Sequence, residues 1–268
     1  MKRRAFLSAG AALGMTPVMG MSGLTENFEQ SAAQSGQQYF EWIRYHLHMG
    51  ARQRMVEQYY RDVAIPALNR AGLNNIGVFN VTHGPSDPTL HVIIPHPTLE
   101  SVVTLNDKLL DDSTFVRAGD SFLNAPINEM AFVSMEKTIM KAFSHLPEIQ
   151  VPTQKKENKP RIIQVRTYVS SSLVFAKKKI HMFNEGGEIA IFKKTGLQPV
   201  LFGETIAGNM MPNLVYMLAF DNFEHMGKCW DVFRDDPDWR KLSADPIYAG
   251  TVAYNNDWIW RPAASSQI

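Results

Sequence analysis

The sequence predicts an α+β fold in which two β-α-β-β-α-β repeats close into one pseudo-dimeric barrel, with the helices outside. Three observations predict it. The first is self-similarity at a constant spacing. "RAGLNNIGVFNVTHGPSDPTLHVIIPHPTLES" (70–101) lies against "KTGLQPVLFGETIAGNMMPNLVYMLAFDNFEH" (194–225). Gly72 and Leu73 meet Gly196 and Leu197, and Leu90 meets Leu214, all at an offset of 124 that holds on into "LLDDSTF" against "FRDDPDW". The second is that strand and helix periodicities follow one another in the same order in each copy. The third is that helices confined to one face leave the other face of each sheet apolar, so two such sheets can cover each other.

The elements follow in order. An alternating run opens each copy, at 40–48 and 161–169. Met55, Val56, Tyr59, Tyr60 and Val63 then mark a helix face at four-residue spacing, as Leu173, Ala176, Ile180 and Phe183 do in the second copy. Gly72 and Gly196 stop these helices, because glycine enters the left-handed conformation without a Cβ clash. Strands are expected around 76–82 and 89–95, and around 199–206 and 213–220, each pair joined by a Gly/Pro/Asn-rich turn. A second helix begins after Thr98 or Asp221, both good N-caps. A last strand closes each copy near 130–139 and 251–260. This order is the ferredoxin-like plan. The expected organisation is a leader and flexible segment over 1–36, a first repeat over 37–146, a linker over 147–160, a second repeat over 161–262 and a tail over 263–268. Pro147, Pro152 and Pro160 bracket the linker.

Composition narrows the function classes. A net charge of +1 leaves no electrostatic footprint for nucleic acid. One cysteine, Cys229, excludes an internal disulfide and reads as a packed thiol. No nucleophile elbow, phosphate loop or dinucleotide fingerprint is present. The start "MKRRAFLSAGAALGM" has a basic region followed by a short apolar one, the layout of an export signal. Arg3, Arg4, Phe6 and Leu7 resemble the twin-arginine signal, which implies export of a folded, bacterial, periplasmic or otherwise extracytoplasmic protein. The apolar region is too short and glycine-rich for a stable span, so no membrane anchor is expected once it is removed.

"IQVRTYV", "KTGLQPV" and "DDPDWRKL" resemble the NIPSNAP family of dimeric α+β-barrel domains. The second copy carries Arg166, Tyr168, Gly196, Asp236, Pro237 and Trp239 of that pattern, and lacks its helix-end proline. The first copy has Arg44, Pro66 and Gly72, with His46, Ser113 and Phe115 where the pattern has Tyr, Pro and Trp. The resemblance implies the barrel fold. Related barrels include cofactor-free monooxygenases and haem enzymes, so it implies no single activity.

Candidate site residues come from the opening strands. Alternation puts Arg44 with Trp42, His46 and His48, and Arg166 with Ile162, Gln164 and Tyr168. With the more apolar face toward the helices, both arginines are expected to enter the barrel interior at matching places, 122 positions apart. His91 is expected in the same space. A guanidinium there keeps its charge and needs acceptors. Either the two arginines pin the half-barrels through acidic partners, or Arg44, His46, His91, Arg166 and Tyr168 line a pocket for an anionic or carbonyl-bearing small molecule. His46, His48 and His91 could also hold a metal, or simply be hydrogen-bonded. With no ligand-spaced carboxylate motif, no metal, haem or other cofactor is expected. Trp258 and Trp260 read as wall and core.

The expected function is therefore an exported NIPSNAP-like protein that binds a small molecule or a partner through a polar barrel interior, with homo-oligomerisation possible. The alternative is a small-molecule enzyme of the α+β-barrel monooxygenase type, cofactor-free or with haem or a metal. Replacing Arg3 and Arg4 together by lysine should hold the protein in the cytoplasm on cell fractionation; unchanged export would contradict the twin-arginine assignment.

Overall fold

A computed structural model describes residues 36–84 and 88–268. The export signal, with Arg3, Arg4, Phe6 and Leu7, lies outside the described residues. Eight strands form a closed antiparallel barrel in the order β1-β3-β2-β8-β5-β7-β6-β4. They are β1 (Tyr39–Leu47), β2 (Gly77–His83), β3 (Thr89–His96), β4 (Phe132–Ala142), β5 (Ile162–Val169), β6 (Gln198–Ala207), β7 (Asn213–Phe220) and β8 (Tyr254–Pro262). Each half contributes a β-α-β-β-α-β run and a four-stranded sheet, β4-β1-β3-β2 and β8-β5-β7-β6. Two seams join them: β4 pairs with β6, and β8 with β2. Residues 36–268 make one compact unit. No described helix is long and apolar enough to cross a membrane.

The inner faces of both sheets meet in one core. Phe40, Trp42, Phe79, Met140, Val165, Leu201, Trp258 and Trp260 pack there. Trp42 and Trp260 meet edge to face at 5.5 Å. The outer face of each sheet carries its own helices and a second apolar layer. Ile43, Tyr45, Val56, Tyr60, Leu68 and Val92 belong to the first half, and Phe183, Phe192, Phe202, Tyr216 and Phe233 to the second.

Local chemistry sets the element ends. Gly72 and Gly196 both have φ +84 and terminate their helices, where a side chain would be strained. Asp112 and Asp236 cap the helices Ser113–Ala118 and Pro237–Ser243, each accepting two backbone N–H groups on Oδ1. Thr98 caps Leu99–Asp111 as expected. In the second half the cap is Asn222, which accepts from His225 N, and not Asp221. The first outer helix runs through a π turn, Tyr60–Ala64, between Met55–Tyr59 and Ile65–Arg70. Pro66 accounts for the widening, since it offers no N–H to the preceding turn and its ring crowds the carbonyl four residues back. The second half breaks its helix instead, at Gly187 with φ +85, between Leu173–Phe183 and Glu188–Lys194. The expected tail is packed: Gln267 N donates to Ile76 O, and the Ile268 side chain is buried in the barrel core.

The seams make each half dependent on the other. Residues 38–146 produced alone would leave β2 and β4 as bare edges beside an apolar sheet face. That fragment should aggregate or self-dimerise in sedimentation experiments; a soluble, folded monomer would contradict this.

Candidate functional site

Strand register decides which expected site residues meet. Ile43 pairs with Val92 on β3, and Arg166 pairs with Tyr216 on β7. The β3 and β7 partners are 124 apart, so Arg166 matches Ile43, and the inward Arg44 matches Thr167. The opening strands are thus related by 123, not by the 122 that aligns the two arginines. A one-residue slip sends every side chain to the opposite face. Arg44, His46 and His91 lie on the interior side with Trp42, as expected. Arg166 and Tyr168 do not: they lie between β5 and the helices.

At the interior end, Arg44 donates to Glu136 Oε2, His46 Nε2 lies 2.8 Å from Glu136 Oε1, and Asn209 Nδ2 donates to Oε2 at 2.5 Å. Desolvation raises the Glu136 pKa, but the hydrogen bonds from Arg44 and His46 outweigh it and hold the carboxyl below its ordinary range. A cavity of about 30 Å³ adjoins this cluster, lined also by Thr138, Thr167, Thr205 and Asn213. The Thr167 hydroxyl is buried without a protein partner. This space suits a water molecule bridging polar groups. It is too small for an organic ligand.

His91 is 1% exposed and stacked on Trp260 at 4.2 Å. Its Nδ1 accepts from Trp42 Nε1 at 2.9 Å, so Nε2 carries the proton and donates to Thr89 Oγ1 at 3.2 Å. Both nitrogens are engaged, which leaves no lone pair for a metal. Among the described residues no group of three His, Cys, Asp or Glu is placed to hold a metal ion.

A space larger than this interior one lies outside the barrel wall, between the first half's sheet and helices. It has a volume of about 270 Å³ and is lined by Ile43, Tyr45, Tyr59, Tyr60, Ala64, Leu68, Leu105, Asn106 and Leu109, with Glu41 and Lys137. Tyr45 and Tyr60 share a hydroxyl hydrogen bond of 3.0 Å. Burial pushes Tyr45 up to about 12 and raises Tyr59 and Tyr60 further, so all three phenols are neutral donors at physiological pH. Glu41 is buried beside Lys137, whose Nζ is 2.5 Å from Oε1. Burial raises the Glu41 pKa, but the hydrogen bond from His96 and the charge of Lys137 win, and the carboxyl stays ionised below its usual range.

The second half fills the corresponding volume. Where the first half has Ile43, Ala64, Leu68 and Asn106, the second has Arg166, Glu188, Phe192 and Trp230. The Arg166 guanidinium lies 5.1 Å from the Tyr168 ring and 5.1 Å from the Trp230 ring, and donates to Tyr216 Oη. Trp230 Nε1 donates to Gln164 Oε1 at 2.7 Å. Lys179 and Glu188 form a buried ion pair at 2.7 Å. Arg166 and Tyr168 are therefore packing groups here. The pocket residues Tyr45, Tyr59, Tyr60 and Asn106 were not among the expected site residues. The contrast of Asn106 with Trp230, at the constant offset of 124, was the signal in the sequence that could have found them.

No protein-family model and no curated protein matches the sequence. Among solved structures, a candidate monooxygenase from Lactobacillus acidophilus NCFM superposes with a TM-score of 0.51 at 10% identity, over 84% of this chain and 94% of that one. A candidate monooxygenase from Fusobacterium nucleatum gives 0.51 at 7% identity, over 85% and 93%. A NIPSNAP-like domain protein from Burkholderia xenovorans gives 0.35 at 17% identity, over 39% of this chain and 86% of that one. At such identities the likeness shows the fold, that of the dimeric α+β barrels.

His91 also makes a measurable pH signature. Burial, reinforced by the charges of Arg44 and His46, lowers its pKa from 6.5 to about 3. A depressed pKa means that the fold favours the neutral ring. Its contribution is therefore complete above pH 6.5 and is lost as the pH falls toward 3, by up to about 1.4 kcal/mol per pH unit. Urea unfolding between pH 7 and 4 should show this slope, and His91→Gln should flatten it by one proton. Equal slopes in the two proteins would contradict the assignment.

Proposed function

We propose that the protein binds a small, mainly apolar, ring-containing molecule in the helix–sheet pocket of its first half. One observation carries this: the same layer is open in one half and filled in the other, on a common backbone plan. The pocket's size approaches the range of small-molecule sites, and its lining combines apolar walls with a few polar groups at one end. Tyrosine edges and faces suit an aromatic ring. The Tyr45–Tyr60 hydroxyl pair and Lys137 supply donors for a hydroxyl or carbonyl oxygen. The expected site in the barrel interior thus moves to the other side of β1.

Enzymatic turnover of the monooxygenase type is the second reading. The two candidate monooxygenases share the fold, and a buried carboxylate, Glu41, borders the pocket beside neutral phenols. The twin-arginine-type leader supports an extracytoplasmic location, and the sequence motifs support a NIPSNAP affinity.

Asn106→Trp copies the second half's residue into the first. The parent chain should bind 2-naphthol in calorimetry, and the substitution should abolish that binding while leaving the circular dichroism spectrum intact. Undiminished binding by a folded Asn106→Trp variant, or no binding by the parent, would count against the proposal.

A further inference from the structure

A second cluster of reactive groups lies under the first turn of the helix Leu99–Asp111. His96 ends β3 with its ring wholly buried. Its Nδ1 is 3.0 Å from Ser101 Oγ, and its Nε2 is 3.3 Å from Glu41 Oε2. The proton positions follow from Glu41. Lys137 sits on its other oxygen and keeps it ionised, so Glu41 can only accept. The ring proton of neutral His96 is then on Nε2, and Nδ1 presents a lone pair to the Ser101 hydroxyl. The serine is partly exposed, whereas the imidazole and carboxylate are buried behind it. This order, a reachable hydroxyl, a base and an acid that orients the base, is what activates a nucleophile.

The fold does not require the chain of contacts. The second half has Gln164, Phe220 and His225 at the corresponding places and builds the same strands and helix. There the Phe220 and His225 rings merely meet edge to face at 6.1 Å. Ser101 also lies in the first helical turn, where the aligned peptide dipoles favour negative charge. A hydroxyl losing its proton, or an oxyanion forming beside it, is stabilised by that position.

We propose that Ser101 is a nucleophile with His96 as its general base, and that it accepts acyl groups from activated esters. Ser101 Oγ forms a bond to the ester carbonyl carbon as its proton passes to His96 Nδ1. Glu41 stabilises the resulting imidazolium. The carbon–oxygen bond to the leaving group breaks, and the alcohol departs with the proton from His96. Water, deprotonated in turn by His96, attacks the acyl-serine, and the carboxylic acid and free Ser101 are restored. One ester and one water give one acid and one alcohol, with no change of oxidation state. Glu41 and Lys137 also border the ligand pocket, but Ser101 and His96 do not line it, and the acyl transfer needs no ligand there.

The test is covalent labelling of the full chain with a fluorophosphonate, read by intact mass and peptide mapping. A single adduct at Ser101 is expected, and none in Ser101→Ala. His96→Gln should slow labelling about 100-fold or more, the usual effect of losing a general base. Glu41→Gln should slow it by a smaller factor. Parallel turnover of p-nitrophenyl acetate should fall in the same order. Labelling at some other residue, an unlabelled parent chain, or a His96→Gln variant that reacts at the parent rate overturns the proposal. Should a buried substitution disturb folding, the parent chain alone still decides. Ser101 must react faster than every other serine in the same molecule, and equal reactivity refutes it.

Discussion

Closure of the barrel across two seams is the constraint on which the rest of the molecule depends. Each sheet has one face clothed by its own helices and one that only the other sheet can cover. β4 and β8 settle the matter by hydrogen-bonding to strands of the opposite half. Closure then leaves an interior that is packed with large rings rather than left as a chamber. Trp42, Trp258 and Trp260 occupy it, buried in one apolar cluster. At one end Arg44, His46 and Asn209 converge on Glu136, while the buried Thr167 hydroxyl keeps no protein partner. Room for a ligand must be sought outside the barrel wall.

The two outer layers solve the same packing problem in opposite ways. In the second half a guanidinium slots between aromatic faces, and an ion pair is buried beside it. Cation–π contacts of this kind are worth about 0.5–2 kcal/mol each. The buried Lys179–Glu188 pair adds little net stability, yet breaking it by removing one partner would cost about 3–5 kcal/mol. In the first half, small or short residues at Ala64 and Asn106 withhold the atoms that would fill the layer. The π turn, which carries Tyr60 and Ala64, places both at the edge of the resulting space. π turns inside α-helices often accompany functional sites, and this one coincides with a cavity.

Much of the architecture was legible in the sequence because its signals are local and redundant. Gly72 and Gly196 stop helices for stereochemical reasons, Thr98 caps one, and alternation marks the strands. The facing of β5 was not legible. "IIQVRTYV" is buried on both sides, since one face meets Trp258 and Trp260 and the other, with Gln164 and Arg166 on it, meets the Phe183 and Phe192 layer. Alternation reports a face only when one side is wet. Matching arginine to arginine therefore looked natural and was one residue out of register. The pocket was hidden for a different reason: a cavity is defined by atoms that are missing, and no residue type announces it. Even Glu41, a buried carboxylate with a lysine and a histidine for company, reads in sequence as an ordinary charged residue at a strand start.

The covalent joining of the halves has a consequence for how such a molecule can change. In a barrel made from two identical chains, every substitution appears twice, and a side chain that plugs one layer plugs the other. Here a single polypeptide supplies both layers from different codons. Trp230 and Asn106 occupy the same place in the plan and share no obligation to agree. One half can then drift toward rigidity while its sibling keeps an opening, and the rigid half acts as ballast for the one that must tolerate a void. Two halves of one plan within a single chain thus permit the asymmetry seen in space.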